Sequence, residues 1–487
     1  MSSLEDLREL DGHAQAALVA GGELTERELV EAAITRIETY DGLVGAVAVR
    51  AFDQALAALD KPRTGTGPHG PLHGVPFLLK DLGPTASGLE ATMGSAFLAG
   101  YVPAQGSELV NRFRAAGLRI LGKTKTAEFG ALPTTEPRHQ GPTRNPWDIT
   151  RSAGGSSGGA AAAVAAGMVP VAHANDAGGS IRIPASACGV FGLKPTRART
   201  PLGPAVGDLM NGLASEHVIT RTVRDSAAAL DAIAGPAPGD PYWAPPGPGS
   251  YLETVERGLV RPLRIAFTTR AGTGPVDPVA VEAVHRAARL CEDLGHEVTE
   301  AAPEIGFADL VDPFLVLWAA GVSSAISTYA ALSGRPPVPD LFEELTWTLY
   351  ERGGTLSAAR YLMAVGHLQR AARGLARFHL KYDVLLSPVT AWPAPELGTF
   401  AHGTPDQQLM RAVEFVYDTP LANLSGQPAM SLPLHWTEAG LPIGVQAAGR
   451  FGDEATLLAL AAQLEDAQPW AHRLPALTGT GRPRSES

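Results

Sequence analysis

Three stretches of this sequence carry residue types at spacings that could do chemistry. Gly117-Leu118-Arg119-Ile120-Leu121-Gly122-Lys123-Thr124 matches GxxxxGK[ST], the pattern whose backbone N–H groups and lysine cradle a phosphate. Gly154-Gly155-Ser156-Ser157-Gly158 matches GxSxG, in which a serine on a sharp strand-to-helix turn is activated by a histidine and an acid. The third set is dispersed. Lys80 ends the apolar run Gly74-Val75-Pro76-Phe77-Leu78-Leu79, Ser156 and Ser157 lie in Gly154–Gly159, and Ser180 lies in Asn175-Asp176-Ala177-Gly178-Gly179-Ser180-Ile181-Arg182. Serines become nucleophiles when a neighbouring base takes their proton, and a lysine held neutral is such a base.

The elements around each set decide among them. A helix pattern over 107–116 runs into Gly117, and Leu118–Leu121 itself reads as a strand, so no loop is left between the glycines to wrap a phosphate. GxSxG needs a later acid and histidine; His217, His296, His367, His379 and His435 are available, none in a distinctive context. The dispersed set fits its surroundings better. Residues 74–80 read as a buried strand ending in a charge, 159–167 as a helix and 169–173 as a second strand. Further elements are a helix over 22–40 with a Thr25/Glu28 capping box, a helix over about 48–59, strand–helix–strand over 263–300, helices over 308–381, strands near 384–387, 428–433 and 442–447, and a closing helix from Glu454. Such alternation predicts an α/β layer structure around a mixed or parallel sheet. The Pro/Gly-rich stretch 236–250 reads either as a linker or as a long loop, and the polar tail from Thr478 as frayed.

Composition bounds the function. With 487 residues, 45% hydrophobic and 18% charged, the chain can bury a large core. A net charge of −11 argues against binding nucleic acid by phosphate neutralisation. The two cysteines, Cys188 and Cys291, form no disulfide framework or metal-spaced cluster. Residues 1–20 hold acids and no apolar core of a secretory signal, and no run of eighteen apolar residues predicts a membrane span; a cytoplasmic location is the expectation.

Residues 151–196, RSAGGSSGGAAAAVAAGMVPVAHANDAGGSIRIPASACGVFGLKPT, resemble the signature of the amidase-signature family. PLHGVPFLLKDL (71–82), LGKTKTAEF (121–129), NLSGQPA (423–429) and GLPIGVQ (440–446) resemble its other segments, so the likeness covers nearly the whole chain. Within the family, 133–159 and 171–186 look most like the 6-aminohexanoate-cyclic-dimer hydrolases. Those enzymes carry a pocket cysteine in the helical region after the signature; here 316–322 reads VLWAAGV.

The resemblance implies one α/β domain over 1–487, with a large mixed sheet covered on both faces by helices. Its signature core would span about 70–200, a substrate-shaping region 235–380, and a return to the sheet 384–466. It implies hydrolysis of a carboxylic amide with no cofactor and no metal. Ser180 would be the nucleophile, Ser156 the proton bridge across a cis Gly155–Ser156 peptide, and Lys80 the base. The backbone N–H groups of Ala177, Gly178, Gly179 and Ser180 would form the oxyanion hole, where many relatives have Thr in place of Ala177. Ser157 and Asp176 would hold the loops, Arg182 would pair with Asp176, and Lys194 would be scaffold. The partner implied is a small aryl, alkyl or cyclic amide, with Phe314, Leu315, Trp318 and Trp347 as candidate pocket residues and a homodimer as the expected assembly. The alternative within the family is an amide-transferring subunit that releases ammonia from glutamine.

Overall fold

The computed structural model describes residues 6–60, 70–270 and 274–477; the tail from Thr478 lies outside them. Its strands are β1 (Val47–Arg50), β2 (Pro76–Lys80), β3 (Arg119–Thr124), β4 (Arg144–Asn145), β5 (Asp148–Ser152), β6 (Val171–Asp176), β7 (Phe191–Lys194), β8 (Ser215–Thr220), β9 (Arg264–Phe267), β10 (Glu297–Glu300), β11 (Val384–Pro388), β12 (Ala429–Trp436) and β13 (Pro442–Ala448). Eleven form one mixed sheet in the order β1-β3-β2-β6-β8-β7-β12-β13-β11-β9-β10, and β4 pairs with β5. The flanks are parallel, β3-β2-β6 on one side and β11-β9-β10 on the other, while the middle is antiparallel.

β2 shows how this sheet positions a charge. It lies between β3 and β6 and is buried along its whole length, which is why it reads as a continuous apolar run. Successive side chains still point to opposite faces. Phe77 and Leu79 pack with residues of the helices Glu108–Ala115 and Val223–Ile233, whereas Leu78 packs with residues of Glu26–Val44 and Gly158–Ala165. Lys80 therefore leaves the sheet on the Leu78 face, toward the residues that precede Gly158–Ala165. Asp81 follows on the other face and accepts from Lys123 Nζ at 2.5 Å. That ion pair also disposes of the phosphate-loop reading, since Lys123 is a fully enclosed strand residue.

One expectation changes. The helix expected over about 48–59 is β1 followed by the helix Phe52–Leu59. The alternation Val47-Ala48-Val49-Arg50 pairs antiparallel with β3, and this long-range pairing prevails over local helical preference. The Pro/Gly stretch 236–250 is a loop tied back at its end: Ser250 Oγ and Tyr251 N donate to Asp231 on the preceding helix at 2.7 and 2.6 Å. The helix Val311–Ser333 packs against both Glu344–Thr355 and Ala358–Lys381. The segment Phe307–Ser333 is long and apolar enough to cross a bilayer by composition alone. Its buried half, including Phe314, Leu317 and Ile326, supplies two of the apolar clusters of the fold.

Candidate active site

Lys80 is wholly buried, and its Nζ contacts three groups: Ser156 Oγ at 2.8 Å, Ser157 Oγ at 2.8 Å and Asn175 Oδ1 at 2.7 Å. Burial lowers its pKa to about 7, against the opposing charges of Glu216 and Asp176. The neighbouring hydrogen bonds fix which way each proton points. Asn175 Nδ2 donates to Leu82 O and Glu216, so Oδ1 is the face turned to the lysine and can only accept. Ser157 Oγ spends its proton on Asn175 O at 3.2 Å and must also accept from Nζ. A neutral amine has two protons and one lone pair. With both protons taken by Asn175 and Ser157, the lone pair is left for the one group still able to donate, the Ser156 hydroxyl. The geometry of neutral Lys80 is thus that of a base for Ser156.

The peptide between Gly155 and Ser156 is cis. Thr135 Oγ1 clamps this turn, donating to Gly154 O at 3.0 Å and accepting from Gly158 N at 2.9 Å. A Cβ on Gly155 would overlap the Thr134 backbone, so the close approach needs glycine there. Behind Lys80, its backbone N–H donates to His173 Nδ1 at 3.2 Å. Nδ1 is therefore the acceptor, and the ring proton sits on Nε2, 2.8 Å from Glu216 Oε2. Burial keeps this imidazole below its usual pKa, consistent with a neutral ring.

Ser180 sits on the other loop, which Asp176 organises. Its carboxylate accepts from Gly179 N at 2.7 Å, Ile181 N at 3.2 Å, Asn423 Nδ2 at 2.8 Å and both Nε and Nη2 of Arg182 at 2.9 Å. Burial alone would raise the Asp176 carboxyl, but the Arg182 guanidinium beside it holds it well below the usual carboxylate range. Arg182 also donates to Thr419 O, Gln446 Oε1 and Asn423 Oδ1, so all of it is engaged. Arg182→Ala is expected to cost about 3–5 kcal/mol of stability by stranding a buried carboxylate, read as a shift in the urea midpoint. Lys194 donates to Pro195 O and makes no hydrogen bond to either serine among the described residues.

Of the N–H groups expected at the oxyanion hole, one is engaged within the loop. The Gly179 N–H is already given to Asp176, so it is a loop-forming bond. Among the described residues the N–H groups of Ala177, Gly178 and Ser180 have no acceptor, and these three are free to meet a developing oxyanion. Gly179 has φ +127°, and a Cβ there would lie 2.6 Å from Ile183 and Thr419 side-chain atoms. Its glycine identity serves the turn.

Ser180 lines an apolar cavity walled by Ile183, Phe307, Phe314, Leu315, Trp318 and Val413. Gly130 and Gly178 line it too, and Ser156 Oγ lies against Gly130. Phe314 and Trp318 stack at 5.3 Å, and Trp318 Nε1 donates to Ala131 O. Among the described residues no titratable side chain lines the cavity. Trp347, expected here, instead packs on Phe342 and Tyr350. None of the five candidate histidines contacts Ser156 among the described residues; His217, for one, bonds Ser226 in the core. The elbow triad has no geometry here.

A family model described as Amidase matches residues 28–458. The chain belongs to the amidase-signature family. It is 38% identical to 6-aminohexanoate-cyclic-dimer hydrolase of Pseudomonas sp. (strain NK87), with 97% of each chain covered. It superposes on a structure of 6-aminohexanoate cyclic dimer hydrolase complexed with substrate with a TM-score of 0.91 at 36% identity, covering 96% of this chain and 99% of that one. A bacterial aryl acylamidase of the same family matches with a TM-score of 0.87 at 27% identity, over 98% and 99%. The protein is thus an amidase, a hydrolase of amide C–N bonds.

The site of this amidase holds residues to which the sequence reading gave no role. Asn175 lay within the quoted motif but carried no signal of its own, since its task depends on which of its two ends faces Lys80. His173 and Glu216 are 43 positions apart and meet only because β6 and β8 pair antiparallel.

Proposed function

We propose that this amidase cleaves uncharged amides with an apolar acyl group through an acyl-enzyme on Ser180. What carries the reading is the enclosed Lys80, whose lone pair in the neutral form is directed at Ser156. In the proposed cycle Lys80 takes the Ser156 proton as Ser156 takes that of Ser180, and Ser180 Oγ bonds to the carbonyl carbon. The oxygen takes the negative charge, facing the N–H groups of Ala177, Gly178 and Ser180. On collapse, Ser156 passes a proton to the departing nitrogen and Lys80 restores that of Ser156; the C–N bond breaks and the amine leaves. Water then attacks the ester, giving its proton to the same relay, and the acid departs with Ser180 restored. An amide needs both the activated nucleophile and the protonated leaving group, and one relay supplies the two in turn.

The cavity supports the acyl preference. Glutamine would bring an α-ammonium and an α-carboxylate, and no side chain there could pair with either. Hexanoyl anilide is expected to be hydrolysed with a kcat/KM at least about tenfold above that for acetanilide, as several buried methylenes at roughly 0.8 kcal/mol each would give if most are sheltered. Trp318→Ala should lower kcat/KM for the hexanoyl substrate by roughly tenfold to a hundredfold and leave acetanilide little changed. Steady-state assays of aniline release check both. Release of ammonia from glutamine at rates matching the anilides would contradict the reading.

A further inference from the structure

A second cavity, of about 250 Å³, lies on the far side of residues 416–422 from Ser180 and shares no lining residue with the first. Its walls are apolar at Ile305, Leu375, Leu385 and Leu421, and three ionisable side chains face it. Two of them, Asp418 and Arg270, have no charged partner among the described residues, while His379 feels both Arg450 and Asp383. Asp418 sits at the N-cap of the helix Thr419–Ser425 but does not cap it. Its Oδ1 accepts from Phe307 N at 3.1 Å instead, and no cation reaches the carboxylate among the described residues. Burial raises this carboxyl to about 6, as expected of a buried acid lacking a counter-charge.

Arg270 lines the same cavity from its exposed rim. Its backbone is fixed, N–H to Thr268 Oγ1 at 3.3 Å and C=O accepting from Tyr417 OH at 2.7 Å. Its guanidinium has no hydrogen bond or ion pair among the described residues. His379, only 4% exposed, completes the set with an Nδ1 that has no partner. Buried polar atoms normally have partners, so a cavity with an unpaired acid, an unpaired imidazole nitrogen and a free guanidinium lacks something.

We infer that this cavity is a binding site for a small aliphatic amino acid, its ammonium on Asp418 and its carboxylate on Arg270. The apolar walls between take the aliphatic body, and His379 offers a further polar contact. The class follows from the charges: an anion alone leaves Asp418 unpaired, and a cation alone leaves Arg270 unpaired. The site lies outside the proposed reaction and does not depend on it. It adjoins the loop machinery, because Gln446 in its wall bonds Arg182, and Thr419, next to Asp418, bonds Gly178 O.

The test is calorimetric titration of the full chain with 6-aminohexanoate, and with hexanoate and hexylamine as single-charge controls. Saturable one-to-one binding of the amino acid is expected, at least about tenfold tighter than either control. Arg270→Ala, at an exposed position, should weaken 6-aminohexanoate and hexanoate about tenfold and leave hexylamine unchanged. Asp418→Asn should weaken 6-aminohexanoate and hexylamine and leave hexanoate unchanged. No saturable binding of 6-aminohexanoate up to about 10 mM, or binding that neither substitution alters, would overturn the inference.

Discussion

Ser180→Ala is expected to reduce kcat by roughly four to six orders of magnitude, with the urea midpoint unchanged. The side chain lines the cavity and no backbone group depends on it, so its loss removes the proposed nucleophile without disturbing the loop that Asp176 and Arg182 hold. Substrate affinity should survive, because the apolar walls and the three open N–H groups remain. Ser156→Ala is expected to come close to the same loss, since residues that act as one relay are not additive; the double variant should be little worse than either single one. Ser157→Ala differs. It removes an acceptor of a Lys80 proton and a tie to Asn175 O, and should lower kcat by roughly tenfold to a hundredfold through mispositioning. Single-turnover assays with an anilide separate these cases.

The second large effect concerns Lys80 and pH. Its ammonium form cannot accept the Ser156 proton, so kcat/KM should rise about tenfold per pH unit below a pKa near 7 and level off above it. The sign follows from burial: the enclosed strand end disfavours the charged form, and raising the pH completes deprotonation. Lys80→Met should lower kcat by roughly three orders of magnitude or more and abolish the ascending limb. Lys80→Arg, which stays charged at every accessible pH, should be no better than Met. A limb that survived in Lys80→Met would assign the ionisation to another group, and the buried Lys194, which burial also brings to about 7, is the first to examine.

Much of this site is legible in the sequence because its members announce themselves locally. Lys80 is a charge at the end of an apolar strand, and the two serines stand among glycines that admit a cis turn and a left-handed backbone. The sheet was legible in its elements, since β2 and β6 are short apolar runs bounded by turn residues. What could not be read is what the fold creates by bringing distant segments together. His173 with Glu216, and Asn423 with Asp176, are contacts between distant segments, and neither pair has a signature in spacing. The same reason explains β1, whose four residues become a strand only because β3 offers an edge. The use of the Gly179 N–H inside the loop was hidden for a different reason: the motif shows that glycines are present, but only the folded turn shows which amide is spent on Asp176.

The central claim is that Ser180 is the nucleophile and Lys80, through Ser156, its base. Labelling with a sulfonyl fluoride, followed by intact mass and peptide mapping, tests it most directly. One adduct is expected, on Ser180, absent in Ser180→Ala and formed far more slowly in Lys80→Met. An adduct on Ser156, or labelling of Ser180 at an unchanged rate without Lys80, would contradict it.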